Sequence, residues 1–371
     1  MHIDTHALIG TTPGLHVGLD VLRFGSADRG PRAAIHAALH ADEVPALLVA
    51  QCLRERLAAL EAQGQLTGEV RLVPVANPVG LSQRLLGRHE GRFDLRDGLN
   101  FNRGFSDLAA RVPDAVKDAL GADAAANTVT LRRALREAVL TLPVQTPTEH
   151  LKQQLLLNAV DCDIVLDLHC DSEAVVHLYA LDVHAPLVAD LGARLGAQAV
   201  LLAMDSGDGP FDEACSRPWI LLQQRWPGLA IVPACFAATV ELRGEADVGF
   251  EQAAADADAV IGFLRARGVI AGTAEAPPPP CCEATPLSAS EPIHAPHAGI
   301  VVFHAAPGQA LAAGAVVATL VDPASGRHTP LRTEGGGRMY ARIATRWASA
   351  GQRLAKVAGH TLRRSGKLLS A

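Results

Sequence analysis

His40 and Glu43, in the run Ala38-Leu39-His40-Ala41-Asp42-Glu43, stand three residues apart in front of an apolar, helix-like stretch. At that spacing on a helix two side chains share a face, with roughly 5–6 Å between their Cβ atoms. An imidazole nitrogen and a carboxylate oxygen so placed can converge on one ion about 2 Å from each. A third donor, His169, comes from Val165-Leu166-Asp167-Leu168-His169-Cys170-Asp171. Two imidazoles and a carboxylate leave one tetrahedral position for water, the pattern of a catalytic zinc rather than a structural one. The chemistry this points to is hydrolysis by an enzyme with one Zn2+ per chain.

Those donors need a scaffold, and residues from about 17 to 270 alternate strand-like runs with longer helical patterns, the signature of an α/β domain. Ala33-Ala34-Ile35-His36-Ala37 reads as a strand ending at the His40 loop. Val44 to Ala62 reads as a helix opened by Asp42-Glu43, with Pro45 in the first turn where proline is tolerated. A second strand, Val70 to Val75, leads into the turn signal Asn77-Pro78, and helical patterns cover 128–142 and 147–160. Asp163 to Leu168 is then a buried strand that delivers His169 at its carboxyl end, where ligands collect in open α/β sheets. Ala199–Ala203 and Ala238–Leu242 are strand-like, about 211–224 is helical, and Glu251 to Ala266 closes the domain.

Composition changes at Ala274-Glu275-Ala276-Pro277-Pro278-Pro279-Pro280, a semi-rigid polyproline-type stretch expected to join neither core. Residues 290–358 carry short β-like runs and glycines with a faint internal repeat, which suggests a small sandwich or barrel. The division expected is a catalytic domain over 1–273, a linker over 274–289, a β-rich domain over 290–358 and a frayed basic tail over 359–371.

Of the 371 residues 49% are hydrophobic, 19% charged and 4% aromatic, enough for a large core. A formal net charge of -6 argues against nucleic acid as a partner. No apolar run approaches the roughly 20 residues needed to cross a bilayer, so no membrane association is expected. The first residues, Met1 to His6, lack a basic region followed by an apolar core, and seven cysteines in no framework spacing suit a reducing compartment. A cytoplasmic protein is expected, acting on a small molecule, with a homo-oligomer left open.

His40-Ala-Asp-Glu43, Asn100-Phe101-Asn102-Arg103, Asp167-Leu168-His169 and Val240-Glu241-Leu242-Arg243, in that order, resemble the succinylglutamate desuccinylase/aspartoacylase family, a branch of the zinc carboxypeptidase fold. The resemblance implies a mixed β-sheet flanked by helices, followed by a small all-β, barrel-sandwich-like C-terminal domain. It implies His40, Glu43 and His169 as zinc ligands, and Glu241 as the base that takes a proton from zinc-activated water. Asn102 and Arg103 match the pair that grips a substrate carboxylate. Arg92, in Gly91-Arg92-Phe93-Asp94, matches the arginine that polarises the scissile carbonyl, with Arg96 close by as the competing choice. Asp167 is expected to accept the far N–H of a metal-bound imidazole. Tyr340 is a weaker candidate to reach the site from the C-terminal domain.

The physical chemistry agrees with these roles. Hydrolysing an amide requires protonation of the departing nitrogen, and one carboxylate can carry both proton transfers. An arginine fork suits a carboxylate because it donates two parallel hydrogen bonds. The C-terminal segment also resembles biotinyl/lipoyl-type domains, but the turn Asp322 to His328 lacks the lysine that would carry a cofactor. The expected activity is hydrolysis of the amide of a small N-acyl amino acid. The alternatives are a carboxypeptidase-like zinc peptidase acting on short peptides and a silent binding protein on the same fold.

Overall fold

The apolar runs of the first domain assemble into a nine-stranded mixed sheet. In a computed structural model that describes residues 1–10, 12–361 and 364–369, its order is His2–Ala7, Gly18–Gly25, Glu69–Val73, Arg32–Ala37, Ile164–Asp171, Phe236–Gly244, His177–Ala180, Ala199–Leu202 and Ala284–Pro286. Glu69–Val73, Arg32–Ala37, Ile164–Asp171 and Phe236–Gly244 run parallel at the centre. Parallel strands are covered on both faces, which is why their sequences are near-continuous Val, Ile, Leu and Ala. Helices Pro45–Ala62, Ala185–Leu195 and Phe250–Ala266 pack on one face. Helices Ala124–Leu140, Pro147–Ala159 and Phe211–Arg225 pack on the other.

Two features shape the edge where the candidate residues gather. Ala38, just after Arg32–Ala37, takes a left-handed φ of 57°, and its N–H is tied to the Leu168 carbonyl. Arg243 takes φ 66° where the register of Phe236–Gly244 shifts between Glu241 and Gly244. Non-glycine residues in this region are strained by roughly 1–3 kcal/mol, and such strain concentrates at functional sites. Ala38 follows, and Arg243 lies near the end of, a strand beside Ile164–Asp171, so the chain turns on either side of His169.

His40 and Glu43 are not on a helix face, as their spacing suggested. They sit in the turn before Pro45–Ala62, closed by the Glu43 N–H on the His40 carbonyl. A three-residue turn gives the same one-sided presentation as a helical turn, which is why the spacing alone does not separate the two.

Past Phe250–Ala266 the second domain packs two antiparallel sheets about Ile293, Val301, Val317, Leu320, Met339 and Val357. One contains Glu291–His294, Arg353–Ala358, Gly337–Arg342 and Ala310–Leu311, the other His328–Arg332, Val316–Val321, Gly299–Phe303 and Trp347–Ala348. The domains exchange strands. Ala284–Pro286, within the stretch expected to lie outside both cores, pairs parallel with Ala199–Leu202 as the ninth strand, and Leu287 and Ala289 behind it are buried. In return Glu173–Ala174 pairs with Gly337–Arg342 of the second domain.

The basic tail expected to fray is held where it is described. The N–H groups of Leu368 and Leu369 donate to the Ser206 carbonyl at 2.9 and 3.0 Å, and Lys367 pairs with Asp208 at 2.5 Å. The leucines at its end supply the apolar contact that a basic composition conceals. Leu362, Arg363, Ser370 and Ala371 of that stretch lie outside the described residues.

Candidate active site

Hydrogen bonds among the surrounding side chains fix which atoms the site presents. The Asn102 N–H donates to Asn100 Oδ1 at 2.8 Å, so that amide oxygen faces His40 and accepts its Nε2–H at 2.8 Å. His40 Nδ1 is thereby the lone-pair nitrogen, and it faces Glu43 Oε1 at 2.9 Å. On the other side, Asp167 Oδ2 accepts His169 Nε2–H at 2.8 Å, leaving His169 Nδ1 turned to Glu43 Oε2 at 2.6 Å. Both imidazoles therefore turn Nδ1 to the same carboxylate. The donor atoms of His40, Glu43 and His169 lie within 4.8 Å of one another, and all three residues are buried.

Acceptors facing acceptors at this range require a cation between them, a proton or a metal ion. Far nitrogens occupied by side-chain acceptors are the usual support of metal-bound histidines. The residues present thus fit a divalent cation, with Asp167 as the acceptor expected for His169 and Asn100 doing the same for His40. Burial, and then the charge of Arg92, pull the His40 imidazole down to about 4, which keeps it neutral and able to coordinate.

Glu241 lies beside His169 in strand register, on the adjacent strand Phe236–Gly244. It lines the same cavity, and its Oε2 is buried without a hydrogen-bond partner among the described residues. Burial first, then the negative charge of Glu43, push its carboxyl up to about 8. A carboxylate with an uncommitted oxygen in a desolvated setting is primed to hold a proton.

The two candidate arginines at positions 92 and 96 separate cleanly. Arg92 donates to Glu43 Oε1 at 2.9 Å and lines the cavity. Arg96 turns outward, its Nε on Asp94 Oδ1 at 3.0 Å, with a further contact to Thr148 Oγ1 at 3.1 Å. Arg103 lines the cavity with its NH1 on the Asn102 carbonyl at 2.7 Å, and among the described residues no carboxylate pairs with it. Burial, and then the neighbouring charge of Arg92, bring its pKa down from the ordinary guanidinium value. With Arg92 on Glu43 and Arg103 lacking a carboxylate among the described residues, there is a place for an anion beside Arg103.

Asn102, read with Arg103 as a substrate contact, has its amide engaged inside the protein. Its Oδ1 accepts the Phe211 N–H at 2.9 Å, and its Nδ2 donates to Asp167 Oδ2 at 3.2 Å. Tyr340 also stays out of the site: its hydroxyl meets Ser290 Oγ at 2.9 Å and its ring packs 4.9 Å from His177. His36 and His177 are core histidines, fully buried and held down to about 4 by desolvation.

Sequence reasoning left three contributors without a role. Asn100 stands in the same run as Asn102 and Arg103, but nothing in a lone asparagine marks it as the partner of a histidine sixty positions earlier. Lys356, on Arg353–Ala358, lines the cavity and pairs with Asp171 at 2.5 Å. Asp212, buried in the first turn of Phe211–Arg225, also lines it, and burial pushes its carboxyl up to about 7.

A buried His-Glu-His cluster at the carboxyl edge of a mixed α/β sheet, beside a carboxylate and two arginines, has the layout of a metal-assisted hydrolase site. Residues 29–267 match the succinylglutamate desuccinylase/aspartoacylase catalytic domain, and the chain belongs to that family of hydrolases. Among solved structures it is similar to a succinylglutamate desuccinylase/aspartoacylase family protein from Shewanella amazonensis, at 27% identity and a TM-score of 0.84 over 96% of this chain and 98% of that one. A family protein from Shewanella frigidimarina shares 23% identity with a TM-score of 0.85 over 96% and 97%. The ectoine utilization protein of Ruegeria pomeroyi has the same fold at 17% identity, with a TM-score of 0.65 over 97% and 95%. No curated protein matches the chain. Among the described residues no helix is long and apolar enough to cross a membrane.

Proposed function

We propose that the chain is a zinc-dependent amidohydrolase that cleaves the acyl–nitrogen bond of a small N-acyl amino acid. One observation carries the reading: two histidine Nδ1 lone pairs and the Glu43 carboxylate converge with their orientations fixed from behind, and Glu241 stands uncommitted beside them. His40, Glu43 and His169 would hold the ion, which when bound supplies an acidified water and a Lewis acid for the carbonyl oxygen.

The chain's own residues do the rest. Glu241 Oε2 takes a proton from the attacking water as the C–O bond forms, and then delivers it to the amine nitrogen as the carbonyl is restored and the C–N bond breaks. Arg92 supplies a fixed positive charge beside the carbonyl oxygen, where negative charge develops. Arg103 anchors the substrate's carboxylate with its planar fork. Asn102 and Asn100 are positioning residues, the first for His169 and the second for His40.

The cavity, about 600 Å³, favours this reading over a peptidase. Its walls come from both domains, with Arg342, Arg353 and Lys356 of the second domain facing the catalytic edge. A cavity walled by both domains suits a small substrate rather than an extended peptide. The test is a panel of N-acyl amino acids and short peptides offered to the zinc-loaded protein, with release of free amino acid as the readout. Turnover of N-acyl amino acids supports the proposal, and turnover confined to peptides overturns it.

A further inference from the structure

The cavity reaches well past the cluster. Asp167, Thr239, Tyr179 and Leu201 are successive register partners across four neighbouring strands and therefore share one face of the sheet. At about 4.8 Å per strand, the three steps from the His169 strand to the Leu201 strand span about 14 Å. Thr239, Tyr179 and Leu201 all line the cavity, so its floor follows this row away from the metal donors.

Along that row the lining changes character. His40, His169, Arg92, Arg103 and Glu241 are gathered at one end. The far end carries Leu201, Ala203, Leu287 and Leu369, with the Tyr179 ring between and Ser206 and Glu213 at the side of Leu369. These residues belong to one apolar cluster, joined by Tyr340 and Ala341 of the second domain. Leu287 is there because Ala284–Pro286 adds the ninth strand, and Leu369 because the tail is tied to the Ser206 carbonyl. The backbone N–H of Ser206 is itself taken by Glu213 Oε1 at 2.8 Å. A volume near 600 Å³ equals about twenty waters' share of liquid, far more than an acetylated small amino acid displaces.

We infer that this lobe receives the acyl chain of the substrate, and that the chain is apolar and longer than acetyl. The inference rests on the hydrolase reading and adds a substrate class to it: an amino acid whose nitrogen carries an alkanoyl group, with its carboxylate on Arg103 and its hydrocarbon tail over Tyr179 and Leu201. Leu201, Ala203, Leu287 and Leu369 are then the residues that set acyl specificity.

The experiment is a series on one amino acid, from N-acetyl to N-octanoyl, with N-succinyl beside N-butanoyl as a pair of equal carbon count. kcat/KM rises about fourfold per methylene, the roughly 0.8 kcal/mol of a buried CH2, until the lobe is full. Butanoyl exceeds succinyl. Ala203→Leu, at a part-buried position, removes the gain for long chains while N-acetyl turnover is kept. A flat or falling series, succinyl ahead of butanoyl, or an equal loss for all chain lengths in Ala203→Leu overturns the inference. Calorimetric binding of the N-acetyl and N-octanoyl compounds is measured in parallel, with Leu369→Ala as a second, milder variant. If nothing is hydrolysed the enzyme reading fails, yet tighter binding of the octanoyl compound, weakened in Leu369→Ala, still supports the lobe, and equal binding refutes it.

Discussion

At the scale of single residues, the side chains around Glu43 divide by whether their polar atoms are already committed. Asn100 Oδ1, Asn102 Nδ2 and Asp167 Oδ2 are spent on one another and on the histidines. Among the described residues Glu241 Oε2 has no hydrogen-bond partner, and Arg103, with NH1 on the Asn102 carbonyl, has no carboxylate. Removing the proton acceptor at 241 leaves every donor of the cluster in place, so Glu241→Gln should bind zinc as the parent does while kcat falls by about 10²–10⁴, the range of general acid–base catalysis. Single-turnover rates and metal analysis on the same sample check both halves. Arg103→Ala should act on binding instead, raising KM by about ten- to a hundredfold, the 1.5–3 kcal/mol of a charge-assisted hydrogen bond, with kcat little changed. A KM equal to the parent's would remove Arg103 as the anchor. The cluster of His40, Glu43 and His169 was legible in the sequence because histidine and glutamate at fixed spacing carry their chemistry in their identity. Whether Asn102 touches substrate was not legible, because an amide's role depends on which neighbours reach it first.

At the scale of elements, helix Pro147–Ala159 governs the segment that carries Arg92, Asn100, Asn102 and Arg103. Thr146 and Glu149 close a capping box at its start, which fixes the helix end and with it Thr148 and Lys152. Thr148 Oγ1 donates to Asp94 at 2.6 Å, and Lys152 Nζ donates to the carbonyls of Asn100 at 3.2 Å and Arg103 at 2.6 Å. Burial would raise the Asp94 carboxyl, but hydrogen bonds from Arg96 and Thr148 outweigh it and hold the group down to about 2. A carboxyl with a folded pKa below its unfolded value of 3.8 adds stability that is fully present above pH 4 and is lost as the pH falls through 2. Asp94→Asn should therefore melt below the parent at pH 6, with the gap closing between pH 4 and 2, as thermal unfolding across that window would record. A gap independent of pH would mean that the anion contributes nothing. Apart from Ala185–Leu195, the principal helices and the parallel strands were readable from apolar periodicity. The antiparallel strand His177–Ala180 was not, because four buried residues between loops do not make a period.

For the whole molecule, the two domains are built into each other rather than strung along a linker. The proline run led sequence reasoning to a separating segment, since proline cannot extend a sheet interior, yet the residues just beyond it form an edge strand, where the ladder tolerates proline. The run from Asp171 to Val175, directly after the His169 strand, is gripped by the second domain: Asp171 by Lys356, and Glu173 by Arg342 at 2.5 Å and Arg346 at 2.6 Å. Glu173→Ala should raise hydrogen exchange in Gly337–Arg342 by an order of magnitude or more while the helices of the first domain stay protected. Unchanged exchange there would show that the strand pairing alone holds the junction. This joint construction explains why the cavity has walls from both domains and why its apolar end could not be foreseen from either half.

All of this depends on a divalent ion shared by His40, Glu43 and His169. The direct measurement is the zinc content of the purified chain by elemental analysis, after equilibration with zinc and removal of loose metal, for the parent and for His169→Ala. One zinc per parent chain and close to none in the variant is the result expected. A parent without zinc, or a variant that retains it in full, would contradict the account.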